Sequence, residues 1–439
     1  MVDTSRRRFL KASGLLVGGI AASPTASATE STDRFIVESK NLRDADFEDA
    51  ALTVVHPLDA LDYTVVSGTE SAVADLGVKY EPDLVYELDL PVTATEAADE
   101  PGYPLQWDKQ VQDIPAVHDV TRGEGTRVAV IDSGVSASHP DLQHAVNVDL
   151  SRNFTGDGYG AGRAVGGGHG THVAGIIAAN DQNDVGVTGS APATEIVDCR
   201  VFSTGPSASF ADILAALVYA GEIGCDAANM SLGAYPVSRQ ANGEFYGKVL
   251  NNTTSYVSNQ LGTLIVASAG NDAADLQHDG SVISLPNEAA NIMSISATGP
   301  IGYMWGEEGL REEFVSPAFY TNYGTNAVDL GAPGGDADTD AIDTGVPWFY
   351  DLVYNTYTVP TYDEASNSFT FENTYSWLAG TSMAAPQVAA AAALVKSVNQ
   401  DYSATQVRDT LEDTASVPEG QDKAYYGAGF LDPLAAVLN

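Results

Sequence analysis

Three short segments of the 439-residue chain carry residue types that together could do nucleophilic chemistry. Gly380-Thr381-Ser382-Met383-Ala384-Ala385-Pro386 sets a serine just before a long alanine-rich run, Gln387 to Val395. The pattern predicts a helix with Ser382 at its N-terminus, where unpaired N–H groups and the positive end of the dipole favour an anion such as the oxyanion of acyl transfer. Val130-Ile131-Asp132-Ser133-Gly134 sets a carboxylate at the C-terminal end of an apolar strand, where open α/β sheets place functional groups. Gly168-His169-Gly170-Thr171-His172-Val173-Ala174-Gly175 sets a histidine at the start of a second helix. Each segment alone has an ordinary reading: a capping serine, a turn-capping aspartate, a packed or metal-bound histidine. His169 and His172, three apart, could share a helix face, but no acidic pair at zincin spacing accompanies them. Ser382 does not lie in the Gly-x-Ser-x-Gly elbow of lipases and esterases, because Ala384 replaces the last glycine.

The elements that must position these residues are legible too. From residue 102 onward, short apolar runs alternate with helical stretches. Arg127 to Ile131, Thr194 to Phe202, Ala227 to Leu232, Thr263 to Ala269 and Ile292 to Ala297 read as strands covered on both faces. Ser209 to Ile223 reads as one of the helices between them. This alternation predicts an α/β fold, a mostly parallel sheet with helices on both faces. Residues 29–101 read differently, as a small α+β unit. It has strands at Arg34 to Glu38, Leu61 to Gly68 and Val78 to Leu90, a helix at Ser71 to Gly77, and a loose linker from Thr93 to Glu100. Residues 335–378 form an insert before the serine segment. It carries Asp336, Asp338, Asp340 and Asp343, spaced somewhat as in a calcium loop but lacking the EF-hand glycine, and an aromatic stretch at Trp348, Phe349 and Tyr350 expected to be a hairpin on the body.

Composition narrows the setting. Acidic residues number 59 against 20 basic, a net charge of −39, and only seven of the basic residues are lysines. Such a chain repels nucleic acid and anionic lipid, which excludes those partners. Its self-repulsion needs screening by salt. The acidic, lysine-poor surface over an ordinary 44% hydrophobic content resembles proteins of extreme halophiles. No run of 18 apolar residues offers a membrane-spanning helix. Ser5-Arg6-Arg7-Arg8-Phe9-Leu10-Lys11, then an apolar stretch and Ala26-Ser27-Ala28, resembles a twin-arginine signal peptide over residues 1–28. It implies the twin-arginine export machinery as partner and a secreted, extracellular destination. Cys199 and Cys225 fit one bridge or two separate buried thiols equally well.

Taken together, the three segments resemble the subtilisin-like serine proteases (subtilases, peptidase family S8), in the order Asp, His, Ser, and in a salt-adapted, halolysin-like form. The resemblance covers the chain from 102 to 439. It implies Ser382 as nucleophile, His169 as general base and then acid, and Asp132 as the orienter of the imidazole. It implies that Asn271, in Val266-Ala267-Ser268-Ala269-Gly270-Asn271, stabilises the oxyanion beside the Ser382 N–H. Ser231, Leu232 and Gly233 would pair with an extended substrate backbone. Ser284 would lie at the base of the main specificity pocket, with Asp272 close enough to attract a basic side chain. Asp141 and Asn183, the latter in the loop 181–186, would hold a structural calcium ion; no organic cofactor is implied. Residues 29–101 resemble the family's propeptide, a ferredoxin-like α+β unit that acts as intramolecular inhibitor and is cut off by the enzyme, here between about residues 93 and 104. The function so implied is endopeptidase action, as a monomer, on broad protein and peptide substrates through an acyl-enzyme. The alternatives are an inactive binding scaffold on the same fold and an esterase.

Overall fold

A computed structural model of the chain describes residues 29–88, 92–94, 102–238, 243–306, 309–342 and 344–439. The signal-like segment 1–28, Asp343 and the greater part of the expected linker lie outside the described residues.

The N-terminal unit comprises β1 (Thr29–Glu38), β2 (Thr53–Leu58), β3 (Tyr63–Ser67) and β4 (Tyr80–Glu87), with helices Asp44–Asp49 and Glu70–Asp75 between them. The strands lie in the order β2-β3-β1-β4, all antiparallel, which is the ferredoxin-like arrangement. Sequence reading overlooks β2 because His56 and Pro57 interrupt its alternation; the register with β3 indeed shifts between Val54 and His56. A short strand, β5 (Val92–Ala94), follows where a linker was expected.

The body continues with β6 (Arg127–Asp132), β7 (Arg152–Asn153), β8 (Glu195–Arg200), β9 (Ser207–Ser209), β10 (Ala227–Met230), β11 (Ala234–Ser238), β12 (Leu264–Ser268), β13 (Val282–Leu285), β14 (Ile292–Thr298), β15 (Leu330–Pro333), β16 (Val353–Asp363), β17 (Ser368–Ala379) and β18 (Gly429–Phe430). Eight of these form one sheet in the order β18-β15-β14-β12-β10-β6-β8-β7, parallel throughout. Alternate side chains of β6 enter two separate cores. Val128 and Val130 pack with the helices His169–Ala178 and Thr381–Val398. Ala129 and Ile131 pack with the helix Phe210–Glu222 and with Ile36, Leu84 and Tyr86 of the N-terminal unit. A sheet buried on both faces explains the unbroken apolar runs.

Sheet order reverses at β6 and β10, and that switch point opens a crevice at the carboxyl ends of the strands. Asp132 ends β6, Ser231 follows β10 and Asn271 follows β12 shortly after Ser268. The insert departs from expectation. Trp348–Asp351 is a single 3-10 turn, and the hairpin is the next segment, β16 and β17, paired from Val353↔Leu378 out to Asp363↔Ser368. The aromatic stretch turns because the hairpin's alternating Tyr and Thr residues, better suited to a pleated surface, take the sheet pairing.

Candidate active site

His169 opens its helix, with Gly168 at the N-cap. Glycine is required at 168: a Cβ there would lie 2.6 Å from two ring carbons of Tyr357. The imidazole is buried, and its Nδ1 lies 2.8 Å from Asp132 Oδ1. The Ser133 backbone N–H donates to the same oxygen at 2.6 Å, which fixes the carboxylate. A carboxylate only accepts, so Nδ1 carries the hydrogen and Nε2 is left as the basic nitrogen. Nε2 is buried and has no hydrogen-bond partner among the described residues. Ser382 lies in the first turn of its helix and donates its hydroxyl to the Ser231 carbonyl at 3.2 Å. The hydroxyl must therefore leave the Ser231 carbonyl before it can donate to His169.

Pro386, inside the same helix, cannot donate the N–H that would normally reach the Ser382 carbonyl. Ser231 Oγ donates to that carbonyl instead, at 2.7 Å, and is itself held by Asn229 Nδ2 at 2.9 Å. The break that proline makes in the ladder thus joins the Ser382 helix to the end of β10. Asn271 is oriented by the same helix: its Oδ1 accepts from both the N–H and the hydroxyl of Thr381, each at 2.9 Å. Its NH2 end is thereby turned away from Thr381. One cavity is lined by Ser231, Leu232, Gly233, Asn271, Ser284 and Ser382. Ser284, buried at its base, donates to Asn287 Oδ1 at 2.7 Å. Asp272 also lines it; Asn322 Nδ2 donates to its carboxylate at 3.2 Å, and burial raises its pKa above the ordinary aspartate value.

These positions lie within the stretch of the chain that a family model covers. The model describing the subtilase family aligns with residues 123–429. The chain belongs to the subtilase family. An alkaline protease of Shouchella clausii is 30% identical to it across 98% of both chains. Subtilisin Savinase of Lederbergia lenta is 33% identical across 76% of this chain and 98% of its own. Among solved structures, the epidermin leader peptide processing serine protease of Staphylococcus aureus superposes with a TM-score of 0.68 at 21% identity, over 92% of this chain and 97% of that one, a likeness of fold. This subtilase is therefore a serine-type endopeptidase that acts on protein substrates.

Other expected residues of the subtilase fall out differently. His172 is buried, faces the Ser376 carbonyl at 3.2 Å, and is pushed down to about 3 by burial and by His169, so it packs as a neutral ring. Asp141 and Asn183 do meet, but in a hydrogen-bonded clamp. Asn183 Nδ2 donates to Asp141 Oδ1 at 2.7 Å, while the Val187 N–H and the Tyr375 hydroxyl reach Oδ2 at 3.1 and 3.0 Å. A calcium ion here would need the Asn183 amide to turn and the Tyr375 hydroxyl to withdraw, so the arrangement does not fit one. Tyr375 comes from the insert, which is why sequence reading of the 181–186 loop could not foresee it. Among the described residues, no three His, Cys, Asp or Glu side chains converge as metal ligands. Two of the insert's aspartates diverge: Asp336 accepts from the Ala337 N–H at 2.8 Å and is pushed up to about 8 by burial, whereas Asp338 pairs with Arg311 at 2.8 Å. Cys199 and Cys225 are separate buried thiols. Sequence reading also missed Thr381 and Asn229 as orienting residues. Pro386, four residues after Ser382, was the available signal for a partner to the Ser382 carbonyl.

Proposed function

We propose that Ser382, His169 and Asp132 cleave peptide bonds through an acyl-enzyme. The observation that carries this reading is the His169 ring, tied through Nδ1 to Asp132 with a buried Nε2 that has no partner among the described residues. His169 Nε2 takes the Ser382 proton as the oxygen attacks the peptide carbonyl. Asp132 keeps the tautomer and stabilises the imidazolium. The Asn271 amide and the Ser382 N–H receive the oxyanion. The imidazolium then protonates the leaving amine, and water repeats the cycle on the acyl-enzyme. Ser231, Leu232 and Gly233 pair with the substrate backbone, and Ser284 floors the cavity for the side chain before the cut bond. Catalytic hydrogen bonds tighten when substrate binds, which is consistent with a Ser382 hydroxyl resting on Ser231.

The enzyme acts outside the cell, exported by the twin-arginine route and adapted to high salt. The N-terminal unit is its propeptide. Several contacts support that role. β4 pairs with β9, extending the unit's sheet onto the body. Arg34 and His56 both reach Asp212 at 2.7 Å. Asp83 accepts the Ala211 N–H at 3.0 Å, at the start of the helix Phe210–Glu222. Leu88 borders the Ser382 cavity, and β5 pairs with the last residues of β17, just before Gly380.

Wild type and Ser382→Ala should be compared on a protein substrate and on an activated ester. Wild type is expected to cleave both, and Ser382→Ala neither. Cleavage of the ester alone would mean an esterase, and of neither an inactive scaffold. Full activity in Ser382→Ala would end the nucleophile assignment.

A further inference from the structure

The insert hairpin lines a cleft with His169 that is distinct from the Ser284 cavity, and its role follows from what it presents there. Its base is fixed to the His169 helix. The Tyr357 ring lies against Gly168, Thr356 Oγ1 donates to the Thr171 carbonyl at 2.7 Å, and Gly175 admits Thr356 and Asn355 so closely that no Cβ would fit. Its outer part carries a block of rings. Phe369 meets Tyr159 edge to face at 5.0 Å between centroids and Tyr362 at 5.1 Å. Together with Pro360 and Gly166 to Gly168, these rings bound a cleft of about 760 Å³ that His169 and Thr204 to Pro206 also line. In a chain with 59 acidic residues, no described carboxylate or cationic group lines that cleft. Leu88 marks what runs along it: its backbone N–H donates to the Pro206 carbonyl at 2.8 Å, as an extended chain on that edge would.

We infer that β16 and β17 build an apolar subsite beside His169, with Tyr362 and Phe369 as its wall, that takes a large apolar or aromatic side chain of an extended peptide substrate. The inference rests on the peptidase reading above. Successive side chains of an extended strand point to opposite sides. When one side chain enters the Ser284 cavity, the preceding one faces His169 and the hairpin. The subsite therefore selects the second residue before the cut bond.

The secreted, processed enzyme should be given two peptides that differ only there, Phe against Ala. The kcat/KM ratio is expected to be about tenfold in favour of Phe, the discrimination a hydrophobic pocket typically provides. Tyr362→Ser with Phe369→Ser should bring the ratio below about threefold. Tyr362→Ser alone, at a position 44% exposed where folding is not at stake, should lower it part of the way. Equal rates in the wild type, or an unchanged ratio in the variants, would overturn the subsite. Protection of Ser382 from an acylating reagent by the same two peptides reads binding without turnover. A Phe preference in protection with no hydrolysis of either peptide would leave the subsite standing and sink the peptidase reading.

Discussion

Lys109 Nζ donates to Gln387 Oε1 at 2.8 Å, and through this contact the start of the body holds the His169 and Ser382 helices together. The same ammonium donates to the Ile176 carbonyl at 2.9 Å, on the His169 helix, whereas Gln387 belongs to the Ser382 helix. Asp108 completes the cluster, 3.4 Å from Lys109 and accepting from Gln387 Nε2 at 2.8 Å. All three side chains are fully buried. Lys109→Met leaves Asp108 without its counter-charge and should cost about 3 kcal/mol of stability. Burial pushes Lys109 down to about 8 from 10.5. Between those pH values the unfolded chain binds the proton and the folded chain does not, so this group makes stability rise with pH across that window. Denaturant titrations from pH 8 to 10.5 should show that rise in the wild type and lose it in Lys109→Met. The same slope in both would remove Lys109 as its source.

Thr381 sets the direction of Asn271. Asn271→Ala should lower kcat by about 10² to 10³ with little change in KM, as loss of an oxyanion donor does. Thr381→Val keeps the backbone N–H bond but loses the hydroxyl bond, and should give a smaller kcat loss of the same kind. A loss confined to KM in either variant would argue against the oxyanion role.

Two contacts bear on the proposed self-processing. Leu88 borders the Ser382 cavity, and Val92 is paired with Ala379, three residues before Ser382. The first cut is therefore expected between Leu88 and Val92, upstream of the 93–104 stretch. Ser382→Ala should accumulate as the uncut precursor, and mass spectrometry of the released N-terminal fragment should read the cut. Normal trimming of Ser382→Ala in a protease-free host would exclude self-cleavage.

Charge sets the solvent requirement. Residues 102–439 hold 40 acidic and 12 basic residues, a net of −28. The processed enzyme should lose activity and near-ultraviolet circular dichroism in dilute buffer and keep both in multi-molar salt, because the Debye length falls from about 10 Å at 0.1 M to about 3 Å at 1 M. Equal stability across that range would refute salt adaptation.

The Asp141 clamp predicts indifference to calcium. Added calcium or a chelator should leave Tm unchanged at constant ionic strength. Tyr375→Phe should cost about 1 kcal/mol, the net worth of a hydrogen bond. A rise of several degrees with calcium would show that Asn183 and Tyr375 yield their places to the ion.

The sequence by itself determined the fold class, because strands buried on both faces must be apolar throughout and the helices that alternate with them must carry an apolar stripe. It also singled out Asp132, His169 and Ser382 as candidates, since a strand end or a helix start places each of them locally, whereas the proposed role of Asn271 came only with the family resemblance. It could not say where the insert lies, because a hairpin's tip is positioned by what its base packs against, and that surface is the His169 helix, about 190 residues upstream of Tyr357 in the chain. Only the tertiary structure brought Tyr375 to Asp141, Ser231 Oγ to the carbonyl that Pro386 leaves unpaired, and Lys109 between two helices. Each of these contacts joins residues more than 60 positions apart, and no periodicity along the chain encodes such a pairing.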